Sequence, residues 1–133
     1  MMFEQLSIKT NSKVDFVSIT SQIDQFVEGT DVEKGIVVIN VPHTTAAVTI
    51  NEDADPSVKK DIKDQLNKVI PFDDNYRHME GNSAAHIKSS IIGVDQTVVV
   101  KDGKLLLGRW QGIFLCDFDG PRTRKVNLKI IES

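Results

Sequence analysis

Two kinds of periodicity alternate along this chain. Phe3, Leu6 and Ile8 begin a strand pattern, which returns as the β-branched run Gly35-Ile36-Val37-Val38-Ile39-Asn40-Val41. That second run is apolar on both faces and predicts a central strand. Ala46-Ala47-Val48-Thr49-Ile50-Asn51 predicts the next strand, so the polar corner at His43-Thr44-Thr45 falls at the end the two share. Ile19, Ile23, Phe26 and Val27 recur at helical spacing, with Ser18 or Thr20 as the N-cap and Gly29 as the stop. Val58, Ile62, Leu66 and Val69 make one apolar stripe after Pro56-Ser57, and Pro71 ends that helix.

Residues 71 to 83 have no period and are rich in loop formers, yet they carry Tyr76, Arg77, His78 and acidic side chains, the mark of a functional loop. A short helix is expected from Ala84 to Ile92, closed by Gly93. The remainder reads as strands: Thr97 to Val100, a turn at Asp102-Gly103, Leu105 to Leu107, Ile113 to Phe118, and Val126 to Ile131. About seven strands with two or three helices predict an α+β fold with a largely antiparallel or mixed β-sheet. Strands this apolar in so short a chain also predict that some sheet surface is buried against other copies.

Composition narrows the possibilities. At 133 residues and 40% hydrophobic content the chain suits one domain spanning 1–133 without disulfides or a structural metal. Sixteen basic against nineteen acidic side chains, a formal charge of -3, provide no broad cationic field, so nucleic acid is not expected as a partner. Cys116 sits in an apolar run, where a thiol acts as a small hydrophobe and makes a poor nucleophile. No stretch approaches the roughly 20 apolar residues that span a bilayer, and the N-terminus lacks a secretion signal. A soluble cytoplasmic protein with no membrane partner is the expectation.

The candidate chemistry lies in polar clusters between these elements. His43, His78 and His86 all avoid the apolar periodic segments, and imidazole is both a metal ligand and a base near neutral pH. The reading adopted here is that folding gathers the three around one cavity, as catalytic groups or as ligands to a divalent metal, zinc or magnesium. The eight-residue spacing of His78 and His86 matches no standard zinc motif. Glu52 and Asp53, at a strand end, suit a proton acceptor or oxygen ligand, whereas Asp55 suits a helix cap. Gly108-Arg109-Trp110-Gln111-Gly112 reads either as a bulge or as a pocket wall in which Trp110 stacks and Gln111 orients a ligand. Arg122 and Arg124 lie in a run that is either a solvated turn or a clamp for phosphate or carboxylate. Phosphate loops, cysteine pairs and a Gly-x-Ser-x-Gly elbow are absent from the sequence.

Taken together, His43-Thr44-Thr45-Ala46, Asn51-Glu52 with Asp55-Pro56, His78, Gly81-Asn82 with His86, Gly103-x-Leu105-x-Leu107-Gly108-x-Trp110-Gln111 and Phe118-Asp119-Gly120-Pro121-Arg122-x-Arg124 resemble the YjbQ-like family of secondary thiamine-phosphate synthases. The resemblance runs in order from about residue 36 to the C-terminus. It implies a homotrimer with sites near subunit interfaces, and a weak or promiscuous transferase activity joining a pyrimidine pyrophosphate to a thiazole phosphate. By matching position, His43, Glu52, His78, Asn82, His86 and Gln111 become site candidates, with Thr44, Trp110, Arg122 and Arg124 around the substrate. Arg109 stands where the family pattern has Thr, and Asp117 where it has Glu. The alternative is a trimeric metal- or metabolite-binding protein without efficient catalysis.

Overall fold

The computed structural model describes residues 2–133, leaving Met1 outside. Eight strands and three helices run in the order β1 (Phe3–Lys9), β2 (Asp15–Ser18), α1 (Thr20–Thr30), β3 (Lys34–Asn40), β4 (Ala46–Glu52), α2 (Pro56–Val69), α3 (Ser83–Ile92), β5 (Asp95–Lys101), β6 (Lys104–Leu105), β7 (Gln111–Asp117) and β8 (Thr123–Glu132). They build two antiparallel sheets, one of five strands ordered β1-β8-β3-β5-β6 and one of three ordered β2-β7-β4. The expected α+β class is therefore the observed one.

The two sheets face each other across one core. Val37, Ile39, Val98, Val126 and Leu128 of the larger sheet meet Val48, Ile113 and Leu115 of the smaller, and Ile23, Phe26 and Val27 of α1 close one side. On its other face the smaller sheet offers Phe16, Ala47, Phe114 and Cys116 to Ala85 and Ile92 of α3 and to Ile62 and Leu66 of α2. β7 thus lies in the middle of three layers, and that is why its apolar run is continuous rather than alternating. Burial pushes the Cys116 thiol far above its ordinary pKa, which removes it as a nucleophile.

Several local expectations needed revision. The strand at Asp15–Ser18 carries no period long enough to betray it, and pairing with β7 creates it. α1 runs past Gly29 to Thr30 and stops where Asp31 adopts the left-handed conformation. Neither Ser18 nor Thr20 caps it; Thr20 Oγ1 instead accepts the Ile113 N–H at 2.9 Å. β6 covers only Lys104–Leu105, paired with β5 across a tight turn in which Asp102 and Gly103 are both at positive φ. α2 conforms to its pattern, with Asp55 accepting the Ser57 N–H at 2.9 Å.

β3 and β8 approach closely at Gly35, where a side chain would run into the Ile131 carbonyl oxygen. Gly35→Ala is expected to lower stability by about 1–3 kcal/mol, because backbone rather than a flexible side chain must yield. In urea this should appear as a lower midpoint at unchanged slope.

The outer face of the five-stranded sheet is graded. Ile131, Ile36 and Val99 form one apolar rung, and Phe3, Lys129, Val38 and Thr97 form the next. A third rung, Gln5, Asn127 and Asn40, is linked by amide hydrogen bonds at 2.8 and 3.4 Å. Phe3, Val99 and Ile131 are each about half exposed in the single chain, at 47%, 50% and 48%.

Candidate functional site

The ends of β3 and β7 and the starts of β4, β8 and α3 meet at one end of the molecule. They enclose an open cleft of about 690 Å³, whose walls include His43, Thr44, Asn82, His86, Asp119, Arg122 and Arg124. Residues distant in sequence come together there because antiparallel pairing sets the end of one strand beside the start of its neighbour.

Beneath the cleft lies a buried ionic network. Arg124 Nη2 donates to Asp117 Oδ1 and to Thr45 Oγ1, each at 2.7 Å, and Thr10 Oγ1 donates to Asp117 Oδ2 at 2.6 Å. The Asp119 N–H adds a fourth bond, at 3.0 Å. Burial opposes ionisation of Asp117, but the bonds from Arg124, Thr10 and Asp119 outweigh it and hold the carboxyl below its ordinary range. The carboxylate of Asp117 therefore belongs to the foundation of the site, and Arg124 is anchored there rather than free to swing over a ligand. Arg122 is more exposed and pairs with Asp119 at 3.3 Å.

The Nε2 of His43 accepts the backbone N–H of Lys125 at 2.9 Å, so the ring is neutral and carries its proton on Nδ1. Partial burial, then the positive Arg124 and Arg122, lower its pKa despite the opposing pull of Asp117. His43 is thereby tied to the first residues of β8. His86 stands differently. It lines the main cleft, a side cavity of about 320 Å³ shared with His43, Ser89 and Ser90, and a further cavity of about 510 Å³ formed with Tyr76, Arg77, His78 and Ile87.

Among the described residues, three buried side-chain atoms lack any hydrogen-bond partner: Asn82 Oδ1, Ser89 Oγ and Arg124 Nε. Asn82 and Arg124 line the main cleft and Ser89 the side cavity. Orphaned polar atoms are rare in folded proteins, and their gathering around one cleft marks it as polar lining that lacks a partner. Asn82 sits at the N-cap of α3 without capping it, and its amide nitrogen donates to Asp119 at 3.0 Å.

Within one chain the three imidazoles do not all line one cavity. His43 and His86 share the cleft, whereas His78 lies outside it, edge-on to His86 with ring centres 5.4 Å apart. Nor do Glu52, Trp110 and Gln111 reach the histidines within one chain. Glu52 pairs with Gln111 at the far end of the β4·β7 ladder, six residue steps from the Ala46–Asp117 pair, roughly 20 Å at the usual strand rise. Glu52 accepts the Asp55 N–H at 3.2 Å, Gln111 accepts the Gly108 N–H at 2.7 Å, and Trp110 is exposed beside the Arg109 guanidinium.

Among the described residues no three His, Cys, Asp or Glu side chains are grouped to hold a metal ion. With the His43 Nε2 already engaged and His78 turned outside the cleft, the three rings do not fit a shared metal within one chain. The residues that sequence reasoning passed over are Thr45 and Asp119, both inside quoted motifs, together with Thr10 and Ser89, which carried no signal; Asp117 was singled out only as a departure from the family pattern.

The sequence matches the family described as UPF0047 protein YjbQ-like over residues 4–133. A UPF0047 protein of Methanocaldococcus jannaschii is 55% identical over 98% of this chain and 94% of its own length. The UPF0047 protein YugU of Bacillus subtilis is 47% identical over 98% and 99%. A crystal structure of a YjbQ/UPF0047 protein from Clostridium acetobutylicum superposes with a TM-score of 0.95 at 48% identity, covering 96% of this chain and 99% of that one. A protein of unknown function from Sulfolobus solfataricus superposes with a TM-score of 0.95 at 31% identity, over 98% and 96%.

Proposed function

This chain belongs to the UPF0047 YjbQ-like family, and on that premise we propose that its cleft binds a small phosphorylated or otherwise anionic substrate. The reaction proposed is transfer of a pyrimidinylmethyl group from its pyrophosphate to a thiazole phosphate. The observation that carries the reading is the cleft itself, where Arg122 and Asn82 line one space with His43 and His86 above the buried Arg124.

In that transfer the bond from the methylene carbon to pyrophosphate oxygen breaks, and a new bond forms to the thiazole nitrogen. The nitrogen attacks through a lone pair and loses no proton, so the chemistry asks for stabilised departing charge and positioned rings more than for a base. A base at Glu52 is therefore not required, in keeping with its distance from the cleft. Arg122 suits the departing oxygens, while Arg124 stays anchored beneath the cleft, and His86 suits a proton donor to them. Asp119 on the same wall already pairs with Arg122, so an incoming anion competes with that carboxylate for the guanidinium.

The homotrimer forms, in this reading, through the apolar rungs Ile36, Val99 and Ile131 of the outer sheet face, a surface that association would remove from water. Val99→Lys should then sediment as a monomer where the parent does not.

A second reading, a metal- or metabolite-binding protein without efficient chemistry, is favoured by one observation. Glu52 and Gln111 stand a strand's length from the histidines. One experiment separates the two. Purified protein is titrated with inorganic pyrophosphate by calorimetry and assayed for coupling of the two halves, with zinc or magnesium present and absent, beside Arg122→Ala. Pyrophosphate binding and coupling, both weakened in Arg122→Ala, are expected. Binding without coupling moves the protein to the second reading, and neither binding nor coupling removes the cleft from consideration.

A further inference from the structure

Lys88 of α3 is fully buried, and among the described residues no carboxylate pairs with it. A lysine in that setting loses its hydration and receives little in return, so an apolar residue would fill the same space more cheaply. What the ammonium does have is directional. Its Nζ donates to Asn67 Oδ1 on α2 and lies 3.9 Å from the centre of the Phe72 ring. Phe118 stands 6.0 Å away. Phe72 opens the 71–82 segment, which carries Tyr76 and His78 to the wall of the cavity beside His86.

We infer that Lys88 is a positioning residue: by binding Asn67 and Phe72 together it holds the 71–82 segment, and with it His78, against His86. An apolar side chain could fill the volume but could not join an amide oxygen on one element to a ring face on another. The inference rests on these contacts and not on the transferase reading, since its readout is the segment itself.

The charges around Lys88 allow the grip to vary with pH. Lys13 sits over the same Phe72 ring at 4.2 Å, drawn to the ring but repelling the Lys88 ammonium. Asp73 and Asp74 beside Phe72 are exposed, Asp64 of α2 is taken by Lys60, and Asp117 of β7 is taken by Arg124. Cys116 remains a neutral thiol. Burial first, and Lys13 second, bring the Lys88 pKa down to about 8. Above that pH the amine can still donate to Asn67, but its attraction for the ring is lost, so the segment loosens.

The test is amide hydrogen exchange on the full chain between pH 7.0 and 9.5, expressed as protection factors so that intrinsic exchange is removed. In the parent, protection of the Asn75 and Tyr76 amides, which bond to Asp74 at 2.7 and 2.9 Å, should fall on the order of tenfold, with a midpoint near 8. Lys88→Met should begin with low protection and show no step. A step of equal size and midpoint in Lys88→Met overturns the inference. If that variant does not fold, Phe72→Leu decides, because it keeps Lys88 and removes the ring; an unchanged step there overturns the inference equally.

Discussion

Arg124→Met is expected to lower stability by about 3–5 kcal/mol, since it removes the counter-charge from a carboxylate with no exposure to water. For a chain of this size that corresponds to roughly 10–20 °C in Tm. Thr10 and the Asp119 N–H still bond Asp117 in the variant, but two dipoles do not replace a guanidinium at 2.7 Å. The pH dependence gives the prediction its sign. In the parent, the Asp117 pKa lies below its ordinary value, so its contribution is complete above pH 4 and is lost as pH falls through the folded-state value. In the variant, burial without the arginine raises that pKa above the unfolded value, so the penalty is full at neutral pH and shrinks as the carboxyl protonates. Urea unfolding at pH 7 and pH 4.5 should therefore show a deficit that narrows on acidification. A deficit under about 1 kcal/mol at pH 7 would mean that the pair contributes no more than a surface ion pair. Arg124→Met with Asp117→Leu should recover most of the loss, because both charges then leave the interior together.

The second large effect is on activity. His86→Ala should reduce coupling turnover by about 10² to 10⁴, the range associated with a positioned proton donor, while leaving stability close to the parent's. Its backbone carbonyl still accepts the Ser90 hydroxyl, and its ring is only half-buried, so little of the fold depends on the side chain. His43→Ala should differ in kind. It removes the acceptor for the Lys125 N–H, which costs about 1 kcal/mol, and it lets the start of β8 move, so substrate affinity suffers more than the chemical step. Equal turnover in His86→Ala and the parent, with both folded, would take the imidazole out of the mechanism.

Much of the fold was legible because the signals for it are local. The stripe Val58, Ile62, Leu66, Val69 needed only helical spacing, and α2 follows it as far as Leu66, beyond which Val69 is exposed and Ile70 is buried instead. The apolar run from Ile113 to Phe118 announced a strand, and β7 is that strand, although only the packing showed both its faces covered. β2 escaped notice because four residues hold too little pattern; its place comes from the β7 edge on which it lies. The same limit applied to the site. His43, Asn82, His86, Arg122 and Arg124 stand in motifs that sequence reading singled out, and they do share one cleft. Glu52, Trp110 and Gln111 stand in equally distinctive motifs and lie at the other end, because motif chemistry carries no information on direction along a ladder.

By itself, then, the sequence determined the class of the fold, most of its elements and which residue types could do chemistry, since hydrophobic spacing and turn residues act over a few positions. Only the tertiary structure decided which candidates meet. It set Thr10 against Asp117, 107 positions further along the chain, turned the His43 ring to the β8 backbone and separated His78 from the cleft. The physical reason is that strand register and the stacking of three layers are properties of the whole packed core, fixed by contacts between segments far apart in the chain.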